Sequence, residues 1–370
     1  MLVTIFPTSR HPCYTHPMKN RAIIFLLAPL LLFSCARVEE VSLEKWENIT
    51  VAGLSELLAQ TQSRPWRGEA FVAGAPGGVW NAAIVSEPKT FNLLVAERDG
   101  PSNTIVRMMH EMLVDFDPVR REWTPRAAFF EIEVDEAAGT LRVIYTLRDN
   151  LYWSFYNSDR RIPVTSDDVI FWYDEIQGDR AFHSSAFPGQ FLTMEDGTTA
   201  RITIERIDDK RFAFFFPRII ANPILSTNMT FGPAFIFEPA KRERGVQGVL
   251  DLFNIASNPQ DIPSKGRWFL TEYVPGLRLV FNRNPDYWEQ DTEGFSFPYT
   301  DRRIVQILPD VNTQFLVFQE GRLESYSARP EDLDNLIRGQ GRGSGARRHG
   351  GSSRGDYTVF NADGSLGASL

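Results

Sequence analysis

After His11 and His16 near the N-terminus, the chain holds three imidazoles, His110, His183 and His349. They bound what it can catalyse. A serine nucleophile needs a histidine that a carboxylate orients. His110 falls in a stretch of helical apolar periodicity and His183 in polar sequence, so neither reads as a base, and no catalytic residue is expected. Both cysteines, Cys13 and Cys35, lie at the N-terminus, which excludes a disulfide framework in the body. Five histidines are too few for a His-rich metal site, and neither a metal nor a cofactor is expected. Gly74-x-x-Gly77-Gly78 lacks the Lys-Ser/Thr of a phosphate loop. A net charge of −8 disfavours a nucleic-acid partner.

The chemistry left to Cys35 is acylation. Met18-Lys19-Asn20-Arg21 is basic, Ala22 to Phe33 is almost wholly apolar, and a polar, acidic stretch follows Cys35. An apolar run this short reads as a secretory signal and not as a membrane span, which takes about 20 residues. Leu32-Phe33-Ser34-Cys35 resembles the bacterial lipobox, which implies cleavage before Cys35 and lipid attachment to it. The plainer alternative is a signal peptide with an incidental cysteine. Met1 to Pro17 fits neither region, and Met18 is the expected start of translation.

The body mixes helix and strand without a strict βαβ repeat. Trp80 to Val85 reads as a strand. Ser102 is expected to cap a helix to about Met112, with Ile105, Met108, Met109 and Met112 on one core-facing side. Phe129 to Val134 and Leu141 to Leu147 read as strands, as do the flanks of Asp208-Asp209-Lys210. Thr165 and Asp168 have capping-box spacing at the start of another helix. Arg302 to Leu308 reads as a strand and Thr313 to Glu320 as a helix. Lys265 to Trp288 reads as a β-hairpin: two alternating runs, a Pro275-Gly276 turn, a stop at Asn284-Pro285-Asp286, and a Tyr287-Trp288 anchor.

That hairpin resembles the "G-x-Y-x-L … R-N-P-x-Y-W" hairpin of the oligopeptide- and dipeptide-binding proteins of bacterial ABC importers. Four further stretches resemble the same family in its order. Ala82 to Asn92 is similar to an opening strand and "E-P-x-T-L-N-P" turn, with Leu93 in place of the last proline. Asn103 to Leu113 is similar to a helix ending in "Y-E-x-L". Thr146 to Ser154 with Pro163 to Val169 resembles "L-R-x-x-x-x-W-S-D-G-x-P-V-T-A-x-D-V". There the chain departs: Phe155 to Ser158 lengthen the turn, and Asp159-Arg160 stands where Asp-Gly is usual. Gln314 to Glu324 resembles a helix followed by "G-E-I-D".

The resemblance implies a mixed α/β, or α+β, fold: the first lobe of a two-lobed periplasmic-binding-protein-like receptor that closes on its ligand by a hinge. The expected organisation is a signal region 1–35 ending at Cys35, a tether 36–77, a solute-binding lobe 78–336, a disordered Gly/Arg-rich segment 337–355, and a start of the second lobe at 356–370, with the rest of that lobe absent. The implied function is a lipid-anchored receptor, periplasmic or otherwise extracytoplasmic, that passes short peptides to ABC permease subunits. The alternative is a truncated surface lipoprotein without transport activity. Pro88, Thr90, Phe91 and Asn92, beyond the first strand and by resemblance near the cleft, are the expected ligand-binding residues. The competing reading gives Pro88 and Asn92 a turn-shaping role alone.

Overall fold

The computed structural model describes residues 75–332 apart from 119, 292 and 293. The signal region with Cys35, the tether before residue 75, and the segments 337–355 and 356–370 lie outside the described residues.

The strands, in chain order, are β1 (Val79–Ile84), β2 (Val114–Asp117), β3 (Glu122–Pro125), β4 (Ala128–Asp135), β5 (Thr140–Leu147), β6 (Tyr152–Ser154) and β7 (Arg161–Pro163). They continue with β8 (Phe191–Thr193), β9 (Thr199–Arg201), β10 (Thr203–Arg206), β11 (Arg211–Phe216), β12 (Trp268–Val274), β13 (Arg278–Arg283) and β14 (Arg302–Ile307). Two four-stranded sheets carry the architecture. One has the order β1-β14-β13-β12, the other β10-β11-β5-β4. The second is antiparallel throughout. In the first, β1 runs parallel to β14, with Val79 opposite Arg302 and Ile84 opposite Ile307.

The hairpin of Lys265 to Trp288 forms as its alternation predicts. β12 and β13 pair antiparallel, with an irregularity between Leu270 and Glu272, and Gly276 takes φ +71° in the turn, where a side chain would be strained. Its base is pinned by close approach. A Cβ on Gly266 would come within 2.8 Å of the Met109 and His110 backbone, whose Met109 carbonyl accepts from the N–H groups of Lys265 and Gly266.

Thr165 opens the helix Ser166–Phe171, and the Asp168 carboxylate accepts the Thr165 N–H at 3.0 Å. Asp168 also accepts from Trp153 Nε1 and from Ala234 N–H, the first residue of the helix Ala234–Leu250, so one buried carboxylate serves two helix starts. The helix expected from Ser102 starts earlier and is shorter, spanning Gly100–Val106. Asp99 is its cap: the carboxylate takes the Ser102 N–H at 3.0 Å and the Ser102 hydroxyl at 2.6 Å. The aspartate therefore outcompetes the serine for the first turn. Met109 is fully buried, as the periodicity indicates.

Tyr287 and Trp288 join the two sheets through buried charge. The Arg126 guanidinium, just before β4, pairs with Glu111 at 3.2 Å and Glu289 at 2.9 Å, and donates to Tyr287 Oη at 2.8 Å. Tyr287 Oη in turn donates to Glu111. Arg148, at the end of β5, lies 3.8 Å from the Trp288 ring. Burial pushes the Glu289 carboxyl up, but Arg126 and Arg267 outweigh it and hold it below its ordinary value. The Arg126→Met variant leaves Glu111 without its cation and Glu289 with Arg267 alone, and is expected to lose about 3–5 kcal/mol in urea unfolding at neutral pH. Because Glu289 is depressed in the fold, its contribution is present above about pH 4.5 and fades as pH falls, so the wild type should lose more stability than Arg126→Met on acidification.

Lys265 is buried with its Nζ on the Phe231 carbonyl at 2.5 Å and within 4.5 Å of the Trp153 and Phe231 rings. Burial lowers the ammonium pKa to about 7 despite nearby Asp168 and Glu111. The unfolded chain binds this proton up to about pH 10.4. Wild-type stability should therefore rise between pH 7 and 10 with a slope of up to about 1.4 kcal/mol per pH unit from this group. Lys265→Met should flatten that rise in denaturant titrations at a series of pH values.

Candidate functional site

The carboxyl ends of the parallel strands β1 and β14 open onto a polar rim. Leu308 N–H donates to the Ile84 carbonyl at 2.9 Å, and the chain then leaves the sheet through Val85, half exposed, and the exposed Ser86 and Glu87. Crevices outside the carboxyl ends of parallel strands are the usual ligand positions of open α/β sheets. Glu87 ties the rim to the hairpin. Its carboxylate accepts the Tyr273 hydroxyl at 2.7 Å and the Gly276 N–H at 2.9 Å, and these bonds lower its pKa. Burial, and then the bond to Glu87, push Tyr273 up to about 12.

Pro88, Thr90, Phe91 and Asn92 lie immediately beneath the rim, and all four are buried. The Lys89 and Thr90 N–H groups donate to Ser102 Oγ, and the Thr90 hydroxyl accepts the Asn92 N–H at 3.0 Å. Phe91 donates its N–H to the Phe253 carbonyl at 2.8 Å and sets its ring edge-on to Tyr273 at 5.4 Å. Asn92 satisfies its whole side-chain amide. Its Oδ1 accepts from Leu94 and Val95 N–H at the start of the helix Leu93–Ala96. Its Nδ2 donates to the Val249 and Leu252 carbonyls at the end of the helix Ala234–Leu250, at 2.7 and 3.0 Å. The structure thus brings the four sequence-selected residues together as the packed floor of one segment.

After the helix Leu93–Ala96, Glu97 and Arg98 fasten a second loop. Glu97 accepts from the Ser184 hydroxyl at 3.0 Å, the Ser185 N–H at 3.1 Å and the Ser185 hydroxyl at 3.0 Å. Arg98 donates to the Phe182 carbonyl at 2.9 Å and to that of His183. Between them His183 is exposed and takes φ +52°, a left-handed backbone uncommon outside glycine and worth attention at ligand sites. Sequence reasoning singled out none of Glu97, Arg98, Ser184 or Ser185. The polar character around His183 was the one available signal, because hydrogen bonds across more than 80 positions leave no local pattern.

The rim presents hydrogen-bond donors and acceptors on a braced backbone. Among the described residues, no cluster of three or more His, Cys, Asp or Glu side chains could hold a metal ion, and no helix is long and apolar enough to cross a membrane. Asn92→Leu strands two N–H groups and two carbonyls at once and is expected to cost about 2–4 kcal/mol in urea unfolding. Asn92→Asp keeps the two acceptor bonds and should fall between Asn92→Leu and wild type.

Comparisons with known proteins agree with this architecture. The family model described as "Bacterial extracellular solute-binding proteins, family 5 Middle" matches residues 124–366. A protein of Deinococcus radiodurans described as a probable ABC transporter-binding protein is 27% identical over 298 residues, covering 78% of this chain and 47% of its own length. The oligopeptide-binding protein AppA of Bacillus subtilis, solved with a nonapeptide, superposes with a TM-score of 0.52 at 19% identity, over 71% of this chain and 46% of AppA. The periplasmic binding protein MelB of Agrobacterium fabrum, solved with stachyose, superposes with a TM-score of 0.58 at 20% identity, over 73% of this chain and 40% of MelB. At these identities the two structures establish the fold, a mixed α/β arrangement of the periplasmic-binding-protein kind. The chain spans less than half the length of each of the three proteins.

Proposed function

From its membership of the bacterial extracellular solute-binding proteins of family 5, we propose that this chain is the solute receptor of an ABC importer and captures short peptides outside the cytoplasmic membrane for delivery to permease subunits. The family is one of binding proteins and not an enzyme class. The observation that carries the reading is the rim: the exposed residues Val85, Ser86 and Glu87 at the carboxyl ends of the parallel strands β1 and β14.

A peptide is recognised with little regard to sequence when its own main chain is paired like an added strand, while water fills the side-chain pockets. In this proposal Pro88, Thr90, Phe91 and Asn92 belong to the binding segment as the support that fixes its height. The Glu97 and Arg98 brace fixes the loop that carries His183. A facing lobe that closes by a hinge would exclude water from the other side of the peptide.

Calorimetric titration of the purified chain with di-, tri- and pentapeptides tests this. Binding of at least one peptide, weakened about tenfold by Arg98→Ala, is the expected result. Folded protein that binds none of them, yet binds stachyose, would replace the peptide reading with a sugar one.

Anchoring belongs to the same proposal. Cys35 is assigned as the lipid attachment site, with Ser34 before it and the apolar run Ala22 to Phe33 as the signal core. Cells fed a clickable fatty acid should label the wild-type protein and not the Cys35→Ser variant. Label retained by Cys35→Ser would count against this assignment.

A further inference from the structure

A groove of about 660 Å³ lies at the other end of the first sheet, where β1 and β14 begin and β13 ends. One wall is the segment Phe155 to Asp159, which contains Phe155 to Ser158, the residues that lengthen the turn beyond the family pattern. It is a defined element. Asn157 takes φ +51°, and the Tyr156 hydroxyl accepts Asn282 Nδ2 at 2.7 Å, which fastens the turn to β13.

The groove has an aromatic side formed by Phe155, Tyr156 and Phe269. The Tyr156 and Phe269 rings stand 6.0 Å apart at 58°, and the Arg160 guanidinium holds one face of Phe155 at 4.8 Å. Its charged side has three aspartates against two lining arginines, and Arg161, paired with Asp286, brings the count level. Asp159, Asp286 and Asp301 line it with Arg283 and Arg302. Arg161 pairs with Asp286 from outside the lining, and Arg283 lies 3.8 Å from Asp301. Among the described residues, Asp159 has no ion pair or hydrogen bond, and Arg302 gives Nε to Asn282 Oδ1 at 3.3 Å.

An ionic ligand needs an excess of the opposite charge to offset its desolvation, and this wall has none to give. A neutral ligand with many hydroxyls needs what is present: planar acceptors and donors in one wall, and ring faces for its C–H groups in the other. The volume falls within the range of small-ligand sites, about 300–1,000 Å³. We propose that this groove is a second binding site, separate from the rim, for a neutral saccharide of one or two rings, with Tyr156 as its stacking platform and Asp159 and Arg302 reading its hydroxyls.

The test is a titration of the full chain with cellobiose, lactose and chitobiose, followed by calorimetry and saturation-transfer NMR. At least one disaccharide should bind. Asp159→Ala and Tyr156→Ala should each weaken it by about tenfold, with unfolding midpoints unchanged for the exposed Asp159. Tyr156→Phe, which removes only the bond to Asn282, guards against misfolding of the alanine variant and should retain stacking. Arg98→Ala should leave sugar affinity unchanged, which separates this site from peptide capture. The proposal is overturned if no disaccharide binds folded protein at about 20 mM, where a site with a Kd of about 1 mM is nearly full. Binding that survives both Asp159→Ala and Tyr156→Ala overturns it too, as does loss of binding on Arg98→Ala.

Discussion

One guanidinium decides whether the two sheets act as a unit. Arg126 stands between Glu111 and Glu289, with the Tyr287 hydroxyl joining the same cluster. A charge taken out of water must be matched almost completely by its neighbours. Here each partner arrives from a different part of the chain: Glu111 after the helix Gly100–Val106, Arg126 before β4, and Tyr287 and Glu289 after β13. The cluster assembles only when all of these segments are in place. Hydrophobic contact alone would tolerate sliding between the sheets. Bidentate pairing of a planar group tolerates much less.

The parts of this fold that show in the sequence are those governed by near neighbours. β12 and β13 show as alternation around Pro275-Gly276, and β4 and β5 as two runs around Gly139. Thr165 and Asp168 sit three apart, which is all that a helix start requires. The helix Ala234–Leu250 hides, because Pro239 lies inside it and Gly245 bends it with φ +63°. Both residues ordinarily mark the end of a helix. The cap of Gly100–Val106 is ambiguous in the sequence, because Asp99 and Ser102 are two good capping residues three positions apart.

The candidate site was legible only in its floor. Pro88, Thr90, Phe91 and Asn92 stand in a compact motif that turns the chain, and turning is a local act. The exposed partners of that floor come from distant positions: Glu97 meets Ser184 and Ser185, and Glu87 meets Tyr273 and Gly276. No periodicity encodes such meetings. The lengthened turn at Phe155 to Ser158 marks the opposite case. It was visible in the sequence as a departure from a pattern, while the groove behind it needed three strands to be seen.

Asn92 has a further consequence. Its amide holds the first turn of one helix and the last carbonyls of another, so the two ends share a single fastening. The helix Ala234–Leu250 therefore cannot unravel at its end without releasing the loop above. In exchange terms, the amides around Leu94 and Val95 and the closing turn of that helix belong to one opening unit. Whatever stiffens the loop is felt as slower breathing some 150 positions away in the chain.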